Sequence, residues 1–293
     1  MKIGVAGLGL MGSAIARRIA AEGFELAVFN RDSKKAEQFS GATVARTPAE
    51  LGTRCDLVIT VVTDFDALQS ILFGNDGLAS SGNKNLLVID ASTISPLQSE
   101  HCARALRENG MQMLGMPVMG GPSAAEAGEL VPMVAGPKDA YDKAKPAIDA
   151  LGKTVFYVGE KDGAANVIKL ALNLNIALIA SAVSEGIALV RSHEIDASLF
   201  VRILNSTYFR TGLSEKKGPK MATGDFEPSF HLKNMLKDLE LAAGAAQSGK
   251  IALPQTSLAA QLFRAANNSG YADSDYTAIC GFLAKINGLR LDR

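Results

Sequence analysis

Two groups of residues in this chain have the types and spacing for chemistry. Lys169 and Asn173 stand four residues apart in Val167-Ile168-Lys169-Leu170-Ala171-Leu172-Asn173-Leu174-Asn175, hence on one face of any helix formed there. An amine and an amide set in an apolar stretch cost free energy to bury unless each finds a partner. Near a helix N-terminus the dipole and desolvation both lower a lysine pKa, toward the range useful for proton transfer. The competing reading is a lysine whose stem covers apolar surface while its head reaches water. The second group is Gly7-Leu8-Gly9-Leu10-Met11-Gly12, which follows the apolar run Ile3 to Ala6 and precedes an Ala/Ile/Arg-rich stretch that predicts a helix. A dinucleotide pyrophosphate needs backbone N–H groups at a helix N-terminus, approached across a turn without Cβ atoms. Gly7 then serves the tight turn, Gly9 the phosphate approach and Gly12 close packing of helix on strand. A ligand-free strand–turn–helix is the alternative, and the strand before and helix after weigh against it.

The tip of the next strand chooses the cofactor. Glu25 to Phe29 predicts a strand that ends in Asn30-Arg31-Asp32-Ser33-Lys34-Lys35. An acidic residue there would bind the ribose 2′-hydroxyl of NAD, whereas an arginine accommodates the 2′-phosphate of NADP. Asn30 stands in the acidic position and Arg31 follows it, with Ser33 and Lys34 as further donors, so NADP(H) is favoured over NAD. Asp32 leaves some NAD use open, and a solvated turn is the plainer reading of Arg31 and the lysines. Val62 and Thr63, at the end of the apolar run from Leu57, complete the cofactor-binding candidates in this half of the chain, together with Gly7, Gly9, Leu10, Met11, Gly12, Asn30, Arg31 and Ser33.

At 293 residues with 47% apolar content and zero net charge, the chain has the length for two domains and the composition of a globular protein. Balanced charge without a basic run or stripe argues against nucleic acid or an anionic membrane as partner. Cys55, Cys102 and Cys280 are far apart, odd in number and lack C-x-x-C spacing, as expected of reduced small hydrophobes in a cytosolic protein. His101, His193 and His231 are isolated from carboxylates and cysteines, so no metal site and no histidine acid/base is expected. Lys2 followed by apolar residues imitates a secretory signal, but cleavage near 14–20 would destroy the glycine turn. A targeting peptide is therefore not expected, and the expected location is cytoplasmic. Ile168 to Ala182 is apolar but carries Lys169, Asn173 and Asn175, which argues against a bilayer span.

These residues need elements to hold them. Short apolar runs recur at Ile3–Ala6, Leu26–Phe29, Leu57–Val62, Leu86–Ile89, Met111–Leu114, Val131–Val134 and Val155–Val158. Helix-length stretches such as Ser13–Glu22 and Leu97–Glu108 separate most of them, and this alternation predicts a mostly parallel, doubly wound sheet. After Gly159 the strand signal stops. One long helix is expected over Asn166–Arg191, then helices around Leu199–Leu204, Leu232–Gln247, Gln255–Asn267 and Tyr276–Lys285, with breaks at Gly218-Pro219, Gly249, Pro254 and Gly270. The expected architecture is α/β: a Rossmann-type domain over residues 1–162, then an all-α domain over 163–293 whose first helix, 163–191, lies between the two. Such junctions are where a cofactor from one side meets a substrate from the other.

Five motifs in order resemble the β-hydroxyacid dehydrogenase family, the relatives of 3-hydroxyisobutyrate dehydrogenase and of tartronate, glyoxylate and succinic semialdehyde reductases. They are GLGLMG at 7–12, DASTISP at 90–96, MPVMGGPSAAEAGEL at 116–130, KLALN at 169–173 and FHLKNMLKDLELA at 230–242, spanning nearly the whole chain. The resemblance implies that Lys169 is the proton donor to the carbonyl in reduction and acceptor from the hydroxyl in oxidation, and that Asn173 positions substrate and lysine. It implies that Ser92 and Thr93 lie near the nicotinamide, Ser92 also touching substrate, and that Gly120 and Gly121 offer a backbone pocket to a substrate carboxylate. Phe230 and Lys237 would reach the cofactor from the helical domain, with Asp238 as a structural partner. The resemblance also implies a homodimer or homotetramer.

The chain departs from the pattern at Gly115-Met116-Pro117-Val118-Met119-Gly120-Gly121, where much of the family reads DAPVSGG. Met119 replaces a serine hydroxyl with a thioether that is at best a weak acceptor. Ser123 is a substitute hydroxyl, and a larger or more apolar carbonyl substrate comes into range; simple packing is the plainer reading of Met119. Glycines usual just before the lysine are partly missing, with Ala164, Ala165 and Asn166 after Gly163. The expected function is thus an NADP(H)-dependent oxidoreductase moving hydride between nicotinamide and a small aldehyde, keto acid or hydroxy acid. The alternatives are an imine reductase, against which the retained Lys169 weighs, and a cofactor-binding module without catalysis.

Overall fold

The computed structural model describes residues 1–290; residues 291–293, the end of the expected helical domain, lie outside the described residues. Two compact units form, Met1–Lys169 and Leu170–Arg293. The first holds strands β1 (Lys2–Ala6), β2 (Glu25–Phe29), β3 (Thr43–Val44), β4 (Leu57–Thr60), β5 (Leu87–Asp90), β6 (Gln112–Gly115), β7 (Val118–Met119), β8 (Val131–Ala135) and β9 (Phe156–Gly159). Between them run helices α1 (Leu10–Ala21), α2 (Ser33–Ala36), α3 (Pro48–Arg54), α4 (Phe65–Phe73), α5 (Pro96–Glu108), α6 (Pro122–Ala127) and α7 (Lys138–Leu151). All seven apolar runs of the sequence appear as strands, displaced by one or two residues at their ends.

The sheet order is β3-β2-β1-β4-β5-β6-β8-β7, with β9 beside β8. Strands β1 to β6 pair in parallel, and β8 runs antiparallel to β6. This is a Rossmann-type doubly wound sheet, whose strand order reverses between β1 and β4. Parallel strands covered by helices on both faces must be apolar throughout, which is why they read as continuous runs and not as alternation. Ile3, Val5, Ile59, Ile89 and Leu114 pack on one face, against Ile15 and Ile19 of α1 and Ile148 of α7. Val58, Val88 and Met113 pack on the other, with Leu51 of α3, Leu68 of α4 and Leu106 of α5.

Helix α8 (Ala164–Ser192) runs from the first unit into the second, which continues with α9 (Ala197–Asn205), α10 (Gly212–Thr223), α11 (Leu232–Ser248), α12 (Pro254–Ala266) and α13 (Ile279–Ile286). By length and composition alone α8 is long and apolar enough to cross a membrane, a test that a buried core helix also passes. Its apolar side is core: Ala177 and Ala180 are buried with Leu232, Leu239 and Phe263, and Val183 and Ile187 with Val201 and Met221. One expectation fails here. Gly218-Pro219, expected as a break, lies inside α10. The helix is held by a capping box between Thr211 and Ser214, and a Cβ at Gly218 would meet Val201 Cγ1 of α9 at 2.8 Å. Close approach of two helices, not a turn, accounts for this glycine. Gly270, with φ of +98°, does mark a break after α12.

Candidate active site

The loops at the carboxyl ends of β1 and β4 are shaped by glycine and by side chains that tie them together. Gly7 has φ of +96°, and a Cβ there would sit 2.2 Å from Val61 O; one at Gly12 would sit 1.9 Å from Gly7 O. Both positions are closed to any side chain. Gly9 is different: nothing lies within 4 Å of its Cβ position, so its bareness leaves open space at the N-terminus of α1, where no side chain caps the first N–H groups. Leu10 is exposed and Met11 half-buried beside it. A turn with two sterically required glycines, one facing empty space, and uncapped helix amides fits a dinucleotide pyrophosphate.

Asn30 at the end of β2 accepts from Leu8 N–H through Oδ1 at 2.8 Å and donates through Nδ2 to Asp32 O at 3.0 Å. Its side chain thus braces the glycine turn. Arg31 and Ser33 are exposed, and Arg31 makes no ion pair among the described residues. Past β4, Val62 is half-buried and Thr63 exposed; the Val62 N–H donates to Ser92 Oγ at 3.0 Å. Ser92 is buried, and its own N–H donates to Asp90 Oδ1 at 3.2 Å, the same oxygen that accepts from Thr60 Oγ1 at 2.8 Å. Asp90, fully buried at the end of β5, therefore organises the loop that carries Ser92 and the half-buried Thr93. This carboxylate was not singled out in the sequence, where it closes the apolar run Leu86–Ile89 and opens the motif at 90–96.

Lys169 sits in the second turn of α8, half-buried. Its Nζ donates to Val118 O at 2.8 Å and to Met119 Sδ at 3.2 Å. The carbonyl is available for a structural reason. Met133 N–H bonds Pro117 O, so Val118 and Pro132, opposite each other in the β7–β8 pair, exchange no hydrogen bonds and Val118 O points off the ladder. Pro132 fits there because no donor is needed. Ala164 and Ala165 pack with Met119, Met133 and Ala135 beneath the lysine. Gly120 has φ of +124°, with Leu130 Cδ2 2.7 Å from its Cβ position, so the turn after β7 is closed to side chains and stays bare backbone. Gly120, Gly121 and Ser123 are exposed beside it. The first unit thus brings Lys169, Met119 and the glycine pair together.

In the second unit Asn173 is buried and donates through Nδ2 to Asp238 Oδ2 at 2.6 Å. Lys237 pairs with Asp238 Oδ1 at 3.0 Å. Phe230 is half-buried just before α11 and packs edge-on to Tyr276, centroids 6.3 Å apart. A second carboxylate that the sequence did not single out holds this corner. Asp275 Oδ2 accepts from Lys217 Nζ at 2.8 Å and from Ser229 N–H at 3.0 Å, and its Oδ1 from Thr277 Oγ1 at 2.8 Å. Burial pushes the Asp275 carboxyl up, but these donors and the Lys217 charge together hold it below the usual carboxylate range. The three cysteines are buried, and desolvation raises Cys55 and Cys280 to about 11 and Cys102 to about 12, so they are protonated and unreactive at neutral pH.

Fold and site together define a nicotinamide-dinucleotide-binding oxidoreductase. Residues 2–159 match the family model for the NAD binding domain of 6-phosphogluconate dehydrogenase, and residues 163–283 that for the NAD-binding domain of NADP-dependent 3-hydroxyisobutyrate dehydrogenase. The chain is 36% identical over 282 residues to an uncharacterized oxidoreductase of Bacillus subtilis, covering 95% of this chain and 98% of that one. It is 30% identical to glyoxylate/succinic semialdehyde reductase 1 of Arabidopsis thaliana over 281 residues, covering 95% and 97%. The solved 3-hydroxyisobutyrate dehydrogenase of Salmonella typhimurium superposes with a TM-score of 0.86 at 26% identity, covering 96% and 99%. This chain belongs to the β-hydroxyacid dehydrogenase family.

Proposed function

We propose that this protein is an NADP(H)-dependent reductase, reversibly a dehydrogenase, that interconverts a small aldehyde or keto acid and the corresponding hydroxy compound. The observation that carries the reading is Lys169, whose amine is held by one carbonyl and one thioether beside the bare Gly120–Gly121 turn. Residues 1–162 would hold the cofactor, with Gly7, Gly9, Leu10, Met11 and Gly12 at the pyrophosphate, Arg31 and Ser33 at the 2′-phosphate, and Val62, Thr63 and Thr93 along the crevice. The exposed Arg31 at the β2 tip, without an ion pair among the described residues, and the NADP-dependent family matched by residues 163–283 both support NADP over NAD. Phe230 and Lys237 would reach the cofactor from the helical domain, proposed as 163–293. When bound, the cofactor supplies or accepts a hydride at the substrate carbon.

The chain's own residues handle the proton. Lys169 donates to the carbonyl oxygen as reduction proceeds and takes the proton back from the hydroxyl in oxidation. Val118 O and Met119 Sδ both accept from its amine and fix where Nζ stands. Asn173, one helical turn on, positions substrate and lysine. Ser92, Gly120, Gly121 and Ser123 would line the substrate's polar end, while Met119 offers a soft, apolar wall, which supports substrates with an apolar substituent at the carbonyl. A homodimer or homotetramer is proposed on exposed apolar residues of the second unit, among them Tyr208 at 87% and Phe209 at 61% exposure.

The test is turnover of NADPH against a panel of C2 to C4 semialdehydes, keto acids and cyclic imines, for the natural chain and for Lys169→Met. Aldehyde turnover should fall by about 100-fold or more in the variant, with NADPH affinity by calorimetry nearly unchanged. Retained turnover removes the lysine from the mechanism, and turnover of imines alone moves the protein to the other class.

A further inference from the structure

The cluster of buried Asn173 and Asp238 with half-buried Lys237 contains more than a structural tie. An asparagine side chain has two unlike ends, an acceptor oxygen and a donor nitrogen, and its action on a substrate depends on which end is presented. Asp238 is 2% exposed, and its two oxygens face two donors, Asn173 Nδ2 at 2.6 Å and Lys237 Nζ at 3.0 Å. In the bond to Asp238 Oδ2 the Asn173 amide nitrogen, which can only donate, meets an oxygen that accepts. The nitrogen end of Asn173 is therefore compelled to face it, and the end turned away is Oδ1.

Resting on the function proposed above, we infer that Asp238 is a positioning residue that fixes the Asn173 amide so that it acts on the reaction through its carbonyl oxygen. A substrate carbonyl is itself an acceptor and gains nothing from Oδ1; an alcohol hydroxyl is a donor and does. Polarising the carbonyl then falls to Lys169 alone, and Asn173 serves the hydroxyl form or the lysine N–H. The same carboxylate holds Lys237, so one buried charge orients a residue assigned to substrate and a residue assigned to cofactor.

A double-mutant cycle in the full-length protein tests this. Asp238→Asn, which can flip and present the wrong end to Asn173, should lower kcat by about 10- to 100-fold, yet change kcat by less than about threefold when Asn173→Ala is already present. Equal losses in the two backgrounds would overturn the inference, since a merely structural carboxylate acts whatever stands at 173. Melting temperatures of all four chains report folding. A second readout does not depend on the Asp238 variant: in the natural chain the Asn173 side-chain amide protons, assigned by their loss in Asn173→Ala, should be shifted downfield and exchange slowly with solvent. Exchange as fast as that of an exposed asparagine overturns the inference by itself. A natural chain that binds NADPH but turns over no substrate sinks the proposed function and takes this inference with it, whereas an active chain with an additive cycle sinks the inference only.

Discussion

Lys169 Nζ lies 3.2 Å from the sulfur of Met119, on the loop where the resemblance expects a serine hydroxyl. A hydroxyl donates as well as accepts, whereas a thioether only accepts, and weakly. The lysine is thus held as an acid or base would be, but the wall beside it cannot donate to a substrate. Met119→Ser restores a donor at that wall. Relative to an apolar aldehyde of equal length, kcat/KM for a small carboxylate-bearing aldehyde should rise about tenfold, from one hydrogen bond to a charged group of about 1.5 kcal/mol. Steady-state kinetics on the two substrates measures the ratio, and an unchanged ratio would show that Met119 packs without selecting.

Arg31 is exposed at the tip of β2, while the neighbouring Asn30 side chain is spent on Leu8 N–H and Asp32 O. Discrimination between the cofactors therefore falls to the guanidinium. Arg31→Ala should lower kcat/KM for NADPH by about 10- to 100-fold, from loss of a charge-assisted hydrogen bond worth about 1.5–3 kcal/mol, and leave that for NADH within about twofold. Equal losses with both cofactors would assign Arg31 to the fold or to the pyrophosphate.

Much of this was legible because burial dictated it. Strands covered on both faces have to be apolar, so β1, β4, β5 and β6 stood out, and the glycine turn stood out because Gly7 and Gly12 tolerate no Cβ. What could not be read depends on partners distant in sequence. The two-residue β7 carries no pattern of its own, yet its pairing with β8 is what frees Val118 O for Lys169, 51 residues away. Gly218-Pro219 read as a turn because local propensity cannot report that α9 packs against that glycine. Asp238 was legible only as a structural partner implied by the resemblance, and Asp90 and Asp275 were not singled out, since a carboxylate shows itself as buried and organising only when its donors are in place.

The two ends of the glycine motif separate fold from binding. A Cβ at Gly12 would lie 1.9 Å from Gly7 O, a backbone atom that cannot move without opening the turn. Gly12→Ala should cost about 3 kcal/mol or more and lower the melting temperature of the ligand-free protein. A Cβ at Gly9 meets nothing within 4 Å. Gly9→Ala should melt close to the natural protein yet bind NADPH about tenfold or more weakly, the added methyl obstructing the phosphates. Calorimetry with thermal melts on both variants decides it; undiminished binding by Gly9→Ala would move the pyrophosphate elsewhere.

The acid stability of the second unit should depend on Asp275. Its carboxyl, buried but surrounded by Lys217, Ser229 and Thr277 donors, is held below the usual range. With the folded pKa below the unfolded one, the unfolded chain binds more protons between the two values, so stability rises with pH across that window. The contribution is present in full above the ordinary carboxylate pKa of about 3.9 and is lost as pH falls through the lower folded value. Asp275→Asn removes the charge while leaving Lys217 only 13% exposed and without its partner. It should destabilise the protein by about 3–5 kcal/mol at pH 7. The loss should shrink as pH falls below 4, because the natural chain then surrenders the same contribution. Urea denaturation of both chains from pH 7 downward measures the difference, and a loss that stays constant with pH would show that Asp275 acts by packing and not by charge.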